Sequence, residues 1–430
     1  MPYTFLWSEK SVDVTRNVRR KTIFIYRKKL KIKLMDFQKM NSLNVYLNLL
    51  SGNLLPMTAN SSFPILWKIY SVFVWLLEFI YTGALIFGCF CVSLEKALND
   101  GLLSIIVALE GIFMVARIQA QRELVQHLIQ KLNNILHVED EAMKKIIAVN
   151  LKPMEIPFRL YLAGGSLSVF LFCCITLPLA AKKDIFFYED YKMPVTFSKE
   201  PFSTDIFLLG SIILLISNMY IFFKKVGVDV YMTYLVALVT AQYQYIAFKL
   251  VSIFQDSDHP QYSNGNSREN NFKTDLFAEK EIRSLCRHHN SITRITLMLK
   301  KLLSLNFSLI YINNVFRFCF LGIMLTKISS SLLEGFMVFM YGTGAMLQFY
   351  ILCSCVQKLV EASMEITDKA FHEDWYRFNI SIKRTFMLVI MASNLELKLS
   401  TFGKFNLSLP SFMAVLNQSY SIAILLLKIK

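Results

Sequence analysis

The chain has 430 residues, of which 54% are hydrophobic and 18% are charged, and its formal net charge is +15. With a mean hydropathy of +0.43, this composition excludes an ordinary soluble enzyme and indicates a membrane protein. The positive charge lies mostly between apolar runs, so it indicates membrane topology and gives no support to nucleic-acid binding. The 36 Phe and 19 Met favour a flexible apolar interior that faces small hydrophobic molecules.

The N-terminal segment, residues 1–66, is predicted to lie in the cytosol. Its beginning is strongly basic and lacks a cleavable apolar core, so no secretory signal is expected. We expect residues 1–40 either to be disordered or to precede a natural start at Met35 or Met40.

Residues 67–427 are predicted to form one all-α membrane domain with seven transmembrane helices. Each of seven apolar runs is long enough to cross about 30 Å of hydrocarbon, although Glu110 weakens the second. The fourth and sixth runs continue as helical patterns over Val226–Phe254 and Gln357–Phe371, so these helices are expected to project beyond the membrane. The seven runs are Ile69–Leu94, Leu98–Ala116, Leu160–Ala181, Ile206–Phe223, Leu305–Thr326, Leu332–Val356 and Ser411–Leu427.

Lys and Arg are distributed unevenly among the segments that connect these runs. They are abundant before the first run and after the second, fourth and sixth, and Lys224 and Lys225 begin the segment after the fourth. By contrast, Lys96 stands alone between the first two runs, and Lys327 between the fifth and sixth. Because cytoplasmic segments carry the excess of Lys and Arg, the N-terminus is predicted to be cytosolic and the C-terminus extracellular. A G-protein-coupled receptor has the opposite orientation.

The inner segments are long and mostly helical in pattern, so they predict an intracellular helical anchor region. Residues Arg117–Arg159 form an amphipathic pattern, Leu276 begins a helix that runs into the fifth span, and Phe371–Leu395 form a third helical stretch. Residues 255–275 are polar and rich in Asn and Ser, which predicts a disordered cytosolic loop.

Glu78, Glu110 and Arg317 are charged residues that lie well inside predicted spans. A charge at that depth marks either a functional site or an ion pair between helices or subunits, and both alternatives stay open. The last run also carries a polar patch, Asn417–Ser421, at its centre. Such a patch either packs inside a helical bundle with its amides paired or lines a water-filled pore.

The sequence carries none of the common catalytic or cofactor motifs. No Ser/His/Asp order, Walker loop, Gly-rich dinucleotide turn or zinc signature is present. We therefore predict no enzyme activity, no cofactor and no metal site. The eight cysteines are expected to act as small buried hydrophobic residues.

Four stretches of the chain resemble the insect odorant receptor family, and they keep the family's order and spacing. The similarity extends from about Leu43 to Lys430. The family's co-receptor carries a long inner insertion that this chain lacks, so the resemblance indicates a tuning subunit. A gustatory-type receptor channel and a multi-span transporter or scaffold remain alternatives. The four stretches are VGVDVYMTYLVALVTAQYQYIAFKL (Val226–Leu250), SLCRHHNSITRITLMLKKLLSLNFSLIYINN (Ser284–Asn314), AFHEDWYRF (Ala370–Phe378) and GKFNLSLPSFMAVLNQSYSI (Gly403–Ile422).

The resemblance implies a ligand-gated, non-selective cation channel in the plasma membrane of a sensory dendrite. Its subunits would form a tetramer in which tuning subunits join an odorant co-receptor. The implied partners are a small volatile odorant, the co-receptor and membrane lipid. The final helix would line the pore, the inner helices would form a shared anchor, and each subunit would hold an odorant pocket in its outer half.

Within this scheme, the pocket is expected in the outer halves of spans two to six. Their side chains are mostly apolar and aromatic, which suits a ligand that is bound mainly by burial. The hydroxyls of Thr176 and Tyr341 are the favoured polar contacts. The predicted ligand-binding residues are Phe170, Cys173, Thr176, Phe207, Ile212, Phe320, Phe336, Phe339, Met340 and Tyr341.

The predicted pore face belongs to the last helix. Gln418, Ser421, Ile422 and Leu425 are spaced i, i+3, i+4 and i+7 and therefore share one side of a helix. Leu425 matches the family's gate position and would form a hydrophobic constriction that closes by dewetting.

Overall fold

The computed structural model describes residues 36–40, 42–58, 63–137, 140–258, 267–327, 332–373, 375–377, 380–393 and 407–428. Most of this chain is helical. The main helices are α1 (Ser42–Leu50), α2 (Ile65–Cys91), α3 (Leu102–Ala120), α4 (Arg122–Leu136), α5 (Glu141–Cys174), α6 (Thr204–Asp258), α7 (Ser267–Lys327), α8 (Leu332–His372), α9 (Ile380–Ser393) and α10 (Leu409–Lys428).

Short elements connect the main helices. A helical turn, Leu94–Lys96, and a π-helical turn, Ala97–Gly101, join α2 to α3. A 3₁₀ turn, Leu177–Ala181, follows α5. Strands β1 (Ile185–Phe186) and β2 (Phe202–Ser203) then pair antiparallel, with Ile185 opposite Ser203 and Phe186 opposite Phe202. The remaining short pieces are the helical turn Phe37–Met40 and the 3₁₀ turns Tyr188–Asp190 and Trp375–Arg377.

Seven helices in the described ranges are long and apolar enough to cross a membrane, which confirms the predicted seven-span all-α class. They are α2, α3, α5, α6, α7, α8 and α10, and each overlaps one predicted apolar run. The first and third predicted runs extend past the ends of their helices, at Cys91 and Cys174, and the second begins before its helix, which starts at Leu102. The continuations of the fourth and sixth runs are confirmed as well, since α6 extends to Asp258 and α8 to His372. With 55 residues, α6 is about 80 Å long, more than twice the thickness of the hydrocarbon layer.

The predicted disordered segments fall mainly on residues that the structure does not describe. Residues 1–35 lie outside the described ranges, and residues 37–40 form a helical turn. The predicted loop 255–275 is partly helical, because α6 ends at Asp258 and α7 begins at Ser267. Residues 259–266 of that loop lie outside the described ranges.

The central helix of the fold is α6, which packs along α5, α7 and α8. Residues 224–243 of this helix are buried without interruption. A helix buried on every side has no continuous polar stripe, which explains why most residues of this stretch are apolar. The inner part of α6 therefore forms the core, and the outer part is available to line a cavity with the surrounding spans.

Candidate functional site

A cavity lies between α3, α5, α6, α7 and α8, beneath the segment that connects α5 to α6. The space open to the centre of a water-sized molecule is about 80 Å³, several times what one water requires. Most of its wall is apolar, from Leu103, Val107, Val169, Phe172, Met193, Ile221, Phe222, Leu321, Met324, Met337 and Val338. Its polar side chains are Asp100, Ser104, Tyr161, Ser168, Asn218, Lys225, Arg317 and Tyr341.

The segment from 182 to 203 closes one end of the cavity, and we call it the outer loop because the predicted orientation puts it outside the cell. Its backbone lies directly on α2, where Thr196 N–H donates to the Ala84 carbonyl at 3.2 Å. A Cβ at Gly88 would collide with the Pro194 carbonyl oxygen, so only glycine allows this close approach. Met193 of the outer loop then reaches into the cavity wall.

Aromatic side chains hold the outer loop against the outer end of α6. The ring of Phe207 stacks on Phe186 at 4.2 Å and on Tyr191 at 5.0 Å between centroids. The Tyr191 hydroxyl donates to the Ile206 carbonyl at 3.3 Å, and burial raises the pKa of Tyr191 to about 12. Tyr191 therefore stays a neutral donor at physiological pH, and the loop is anchored without a charged contact at this point.

A polar wall on α2, α3 and α6 positions Met193. The Asn218 amide donates to the Tyr81 hydroxyl at 2.9 Å and to the Leu214 carbonyl at 2.8 Å. The Tyr81 and Ser104 hydroxyls donate to Met193 Sδ at 3.1 and 3.3 Å. This arrangement ties the outer loop to three spans at the cavity surface.

Charged side chains form the inner end of the cavity, which we call the floor. Lys225 Nζ lies 2.7 Å from Asp229 Oδ1 and 2.9 Å from Glu110 Oε1. All three side chains are almost completely buried, and such charges are tolerated only when they are paired. Glu110, which weakened the second predicted span, is therefore one partner of an ion pair between helices.

Arg317 is the other cation of the floor, and it is 2% exposed. Its Nη1 donates to Gln348 Oε1 at 3.1 Å, and the carbon of its guanidinium group lies 5.0 Å from the centre of the Tyr341 ring. The Nε atom has no hydrogen-bond partner within the described part of the chain. Arg317 thus lines the cavity and has an N–H donor, at Nε, that no acceptor of the described residues binds.

A second buried pair lies beside the floor, between α2 and α6. Lys224 Nζ lies 2.5 Å from Glu78 Oε2 and 3.6 Å from the centre of the Trp75 ring. Glu78 is therefore also a partner in an ion pair between helices. Lys224 and Lys225 were counted in the basic segment after the fourth predicted span, whereas the structure buries both within the helix bundle.

Of the ten predicted ligand-binding residues, only Tyr341 lines this cavity. Phe170, Ile212, Phe336 and Phe339 are 48, 53, 52 and 59% exposed on the outer surface of the bundle. Cys173 and Phe207 are buried, but in the cluster beneath the outer loop. The partly buried residues Thr176, Phe320 and Met340 do not line the cavity either.

The predicted helices are the ones that line the cavity, whereas most of the predicted residues lie on other faces of those helices. All five spans that were expected to hold the pocket contribute to it, and on α6 the contact is deeper, at Asn218–Lys225. In a helix that is apolar on several sides, periodicity does not identify the inward face. Charges inside predicted spans were the available signal for the floor, and Glu110 and Arg317 both carried it.

The last helix packs on α7 through one stripe and leaves the other sides open. Val415, Ser419 and Ala423 are buried, and a Cβ at Gly322 of α7 would lie 3.7 Å from Ala423 Cβ. The opposite surface includes three of the four predicted pore residues, since Gln418, Ser421 and Leu425 are exposed and Ile422 is partly buried.

Gln418 and Ser421 of α10 each make one hydrogen bond within the described parts of the chain. The Tyr311 hydroxyl donates to Gln418 Oε1 at 3.4 Å, and Ser421 donates to the Asn417 carbonyl of its own helix at 2.9 Å. Leu425 is 60% exposed. The surface formed by Gln418, Ser421 and Leu425, which we call the open face, is not covered by the described parts of the chain.

Comparison with known proteins gives one consistent result. A family model described as 7tm odorant receptor matches residues 96–420. Odorant receptor 67a of Drosophila melanogaster is 26% identical over 142 residues, which is 33% of this chain and 34% of that protein. Odorant receptor 67c of the same species is 22% identical over 201 residues, 46% of this chain and 45% of that protein. The matched segments thus span a third to a half of these relatives.

Two solved structures have the same fold. The olfactory receptor OR5 from Machilis hrabei superimposes with a TM-score of 0.73 at 12% identity, covering 91% of this chain and 98% of that chain. Its complex with eugenol superimposes with a TM-score of 0.70 at 14% identity, covering 92% and 99%. At this identity the match concerns the fold.

Proposed function

The chain belongs to the 7tm odorant receptor family, and on this premise we propose that it is an odorant receptor subunit that binds a small volatile molecule. The observation that carries the proposal is the cavity between five spans, with apolar walls and a few polar groups at one end, as ligand sites usually have. The eugenol complex of the Machilis hrabei receptor, which has the same fold, supports a ligand function. The family membership favours this reading over a gustatory-type receptor and over a transporter or scaffold.

We further propose that the subunit is part of a ligand-gated, non-selective cation channel in the plasma membrane, assembled with a co-receptor subunit. The open face of α10 supports this part, because a polar surface on a membrane-spanning helix needs water or another subunit against it. Gln418 would wet the pore, and Leu425 would form its hydrophobic constriction. The inner helices would hold the subunits together.

Helix α7 connects the cavity to the proposed pore helix. Leu321 and Met324 line the cavity, while Gly322 between them lies against Ala423 of α10. Because packed helices shift as units, a ligand that displaces α7 would also displace α10. This contact offers a physical route from odorant binding to opening of the gate.

The function is tested by expressing the chain with and without an insect odorant co-receptor and recording current against an odorant panel. We expect odorant-evoked cation currents in the co-expressing cells that exceed those of cells with the co-receptor alone. Absence of any added response, with the chain present at the cell surface, would contradict the proposed function.

The orientation is tested with epitope tags at the two termini. Because the basic segments alternate with the neutral ones, the N-terminus is predicted to be cytosolic. An N-terminal tag should then be labelled only after permeabilisation, and a C-terminal tag should be labelled on intact cells. Labelling of the N-terminal tag on intact cells would reverse the orientation.

A further inference from the structure

We infer that the ligand of this cavity carries a neutral hydrogen-bond acceptor, such as the carbonyl oxygen of a ketone, aldehyde or ester, and that Arg317 binds it. This inference rests on the proposed function, since it names the ligand class for the same cavity. It depends on three features of the cavity: the hydrogen-bond donors of the floor, the balance of charge in the floor, and the apolar wall above the floor.

The floor presents donors toward the cavity. A guanidinium group has five N–H bonds and no acceptor. In the described structure, Arg317 donates from Nη1 to Gln348 and also interacts with the Tyr161 hydroxyl. The Tyr341 ring covers part of the group, and Nε lacks an acceptor in the described residues. Because a buried donor without an acceptor is costly, an oxygen atom from a ligand would stabilise this site.

Two other polar groups at the cavity surface, Lys225 and Asn218, already have partners. Lys225 directs its ammonium group to Asp229 and Glu110, and the Asn218 amide group donates to Tyr81 and to the Leu214 carbonyl. A ligand that offers only hydrogen-bond donors would therefore leave the N–H groups of Arg317 without an acceptor. The arrangement favours a ligand acceptor at Arg317.

The charges of the floor favour a neutral ligand over an anion. The two cations, Lys225 and Arg317, are balanced by the two carboxylates, Asp229 and Glu110, and all four side chains are buried. A carboxylate ligand would add an unbalanced negative charge beside two acids, and such charges are expensive when buried. A carbonyl oxygen accepts the same hydrogen bond without adding charge.

The rest of the ligand would lie against an apolar wall. Phe172, Ile221, Leu321, Met337 and Val338 surround the space above the floor. These side chains can bind an aryl or alkyl group by burial alone. The cavity therefore suits a compact molecule with one polar end, directed at Arg317, and an apolar remainder.

The test compares acetophenone with cumene, which has nearly the same shape but no oxygen, and with benzoate. The full chain is purified, and affinity is measured from the ligand-dependent rise in its thermal stability. Since a hydrogen bond to a charged group is stronger than a neutral one, acetophenone should bind about tenfold or more tightly than cumene. Benzoate should bind more weakly than acetophenone. The same probes are then applied in current recordings with the co-receptor.

Variants identify the residue responsible. Arg317→Gln should remove the preference for acetophenone while cumene still binds, whereas Val338→Ala on the apolar wall should weaken both ligands alike. Tyr341→Phe and Tyr161→Phe each remove a rival hydroxyl donor of the cavity wall, and each should leave most of the preference in place. Should Arg317→Gln fail to reach the membrane, Arg317→Lys, which keeps the charge and loses the planar fork, should reduce the preference.

The outcomes separate the inference from the proposed function. Equal affinity for acetophenone and cumene, or tighter binding of benzoate, would overturn the inference and leave an odorant-binding cavity. A preference that survives Arg317→Gln, or that disappears in Tyr341→Phe alone, would remove Arg317 from the contact. An odorant panel in which only hydrocarbons are effective would also overturn it. Silence toward every ligand would contradict the proposed function and the inference together.

Discussion

Replacing Lys225 with Met should prevent the chain from folding stably in the membrane. The substitution leaves Asp229 and Glu110 buried without their ion-pair partner, although Arg317 still interacts with both. Removing one partner of a buried ion pair costs about 3–5 kcal/mol, which is a large part of the stability of a typical protein. The measurement is the amount of chain at the cell surface together with its thermal stability after extraction.

A second substitution should restore the charge balance and part of the stability. In the double variant Lys225→Met with Asp229→Asn, the remaining acid Glu110 is matched by Arg317. Lys152→Met on α5 is the control, because this lysine is exposed and exposed positions tolerate such changes. Normal surface levels of Lys225→Met alone would show that the three charges are not needed as a unit.

Replacing Leu425 with Ser should raise the resting current of the assembled channel severalfold in the absence of odorant. A narrow apolar neck excludes water without being sterically sealed, so a smaller, hydroxylated side chain should keep it wet. Leu425→Trp should narrow the neck and reduce the odorant-evoked current. Both effects are measured by recording current from cells that also express the co-receptor. Because co-receptor residues would form the rest of the constriction, each effect should be smaller than in a channel in which every subunit is changed.

Leu427→Ser is the matched control for the gate. Leu427 is 37% exposed and lies two residues further along α10, about 160° around the helix from Leu425. Its replacement should leave the resting current unchanged. Unchanged resting and evoked currents in Leu425→Ser, with normal surface expression, would show that the open face of α10 does not form the gate. Ala423 is unsuitable as a control, because its side chain is buried against α7.

The number and length of the spans could be predicted from the sequence because they depend on local properties. A run of apolar residues has to match the thickness of the hydrocarbon layer, whatever its neighbours are. The long continuations of α6 and α8 were predictable for a similar reason, since helical periodicity persists beyond the apolar run.

The side of each helix that faces the cavity could not be predicted from the sequence. Phe336, Phe339 and Tyr341 are close in sequence and similar in chemistry, yet only Tyr341 lines the cavity. In a membrane, an apolar side chain is equally compatible with lipid and with the protein interior. The packing of neighbouring helices therefore decides between them, and that information is absent from any single segment.

The charged floor shows the same division between sequence and tertiary structure. The sequence by itself determined that Glu110 and Arg317 lie within spans, and therefore that each needs a partner or a function. Only the tertiary structure brought Lys225 of α6 to Glu110 of α3 and left an Arg317 donor at the cavity. Ion pairs between distant segments depend on how whole helices pack, so the identity of the partners follows from the fold and not from local sequence.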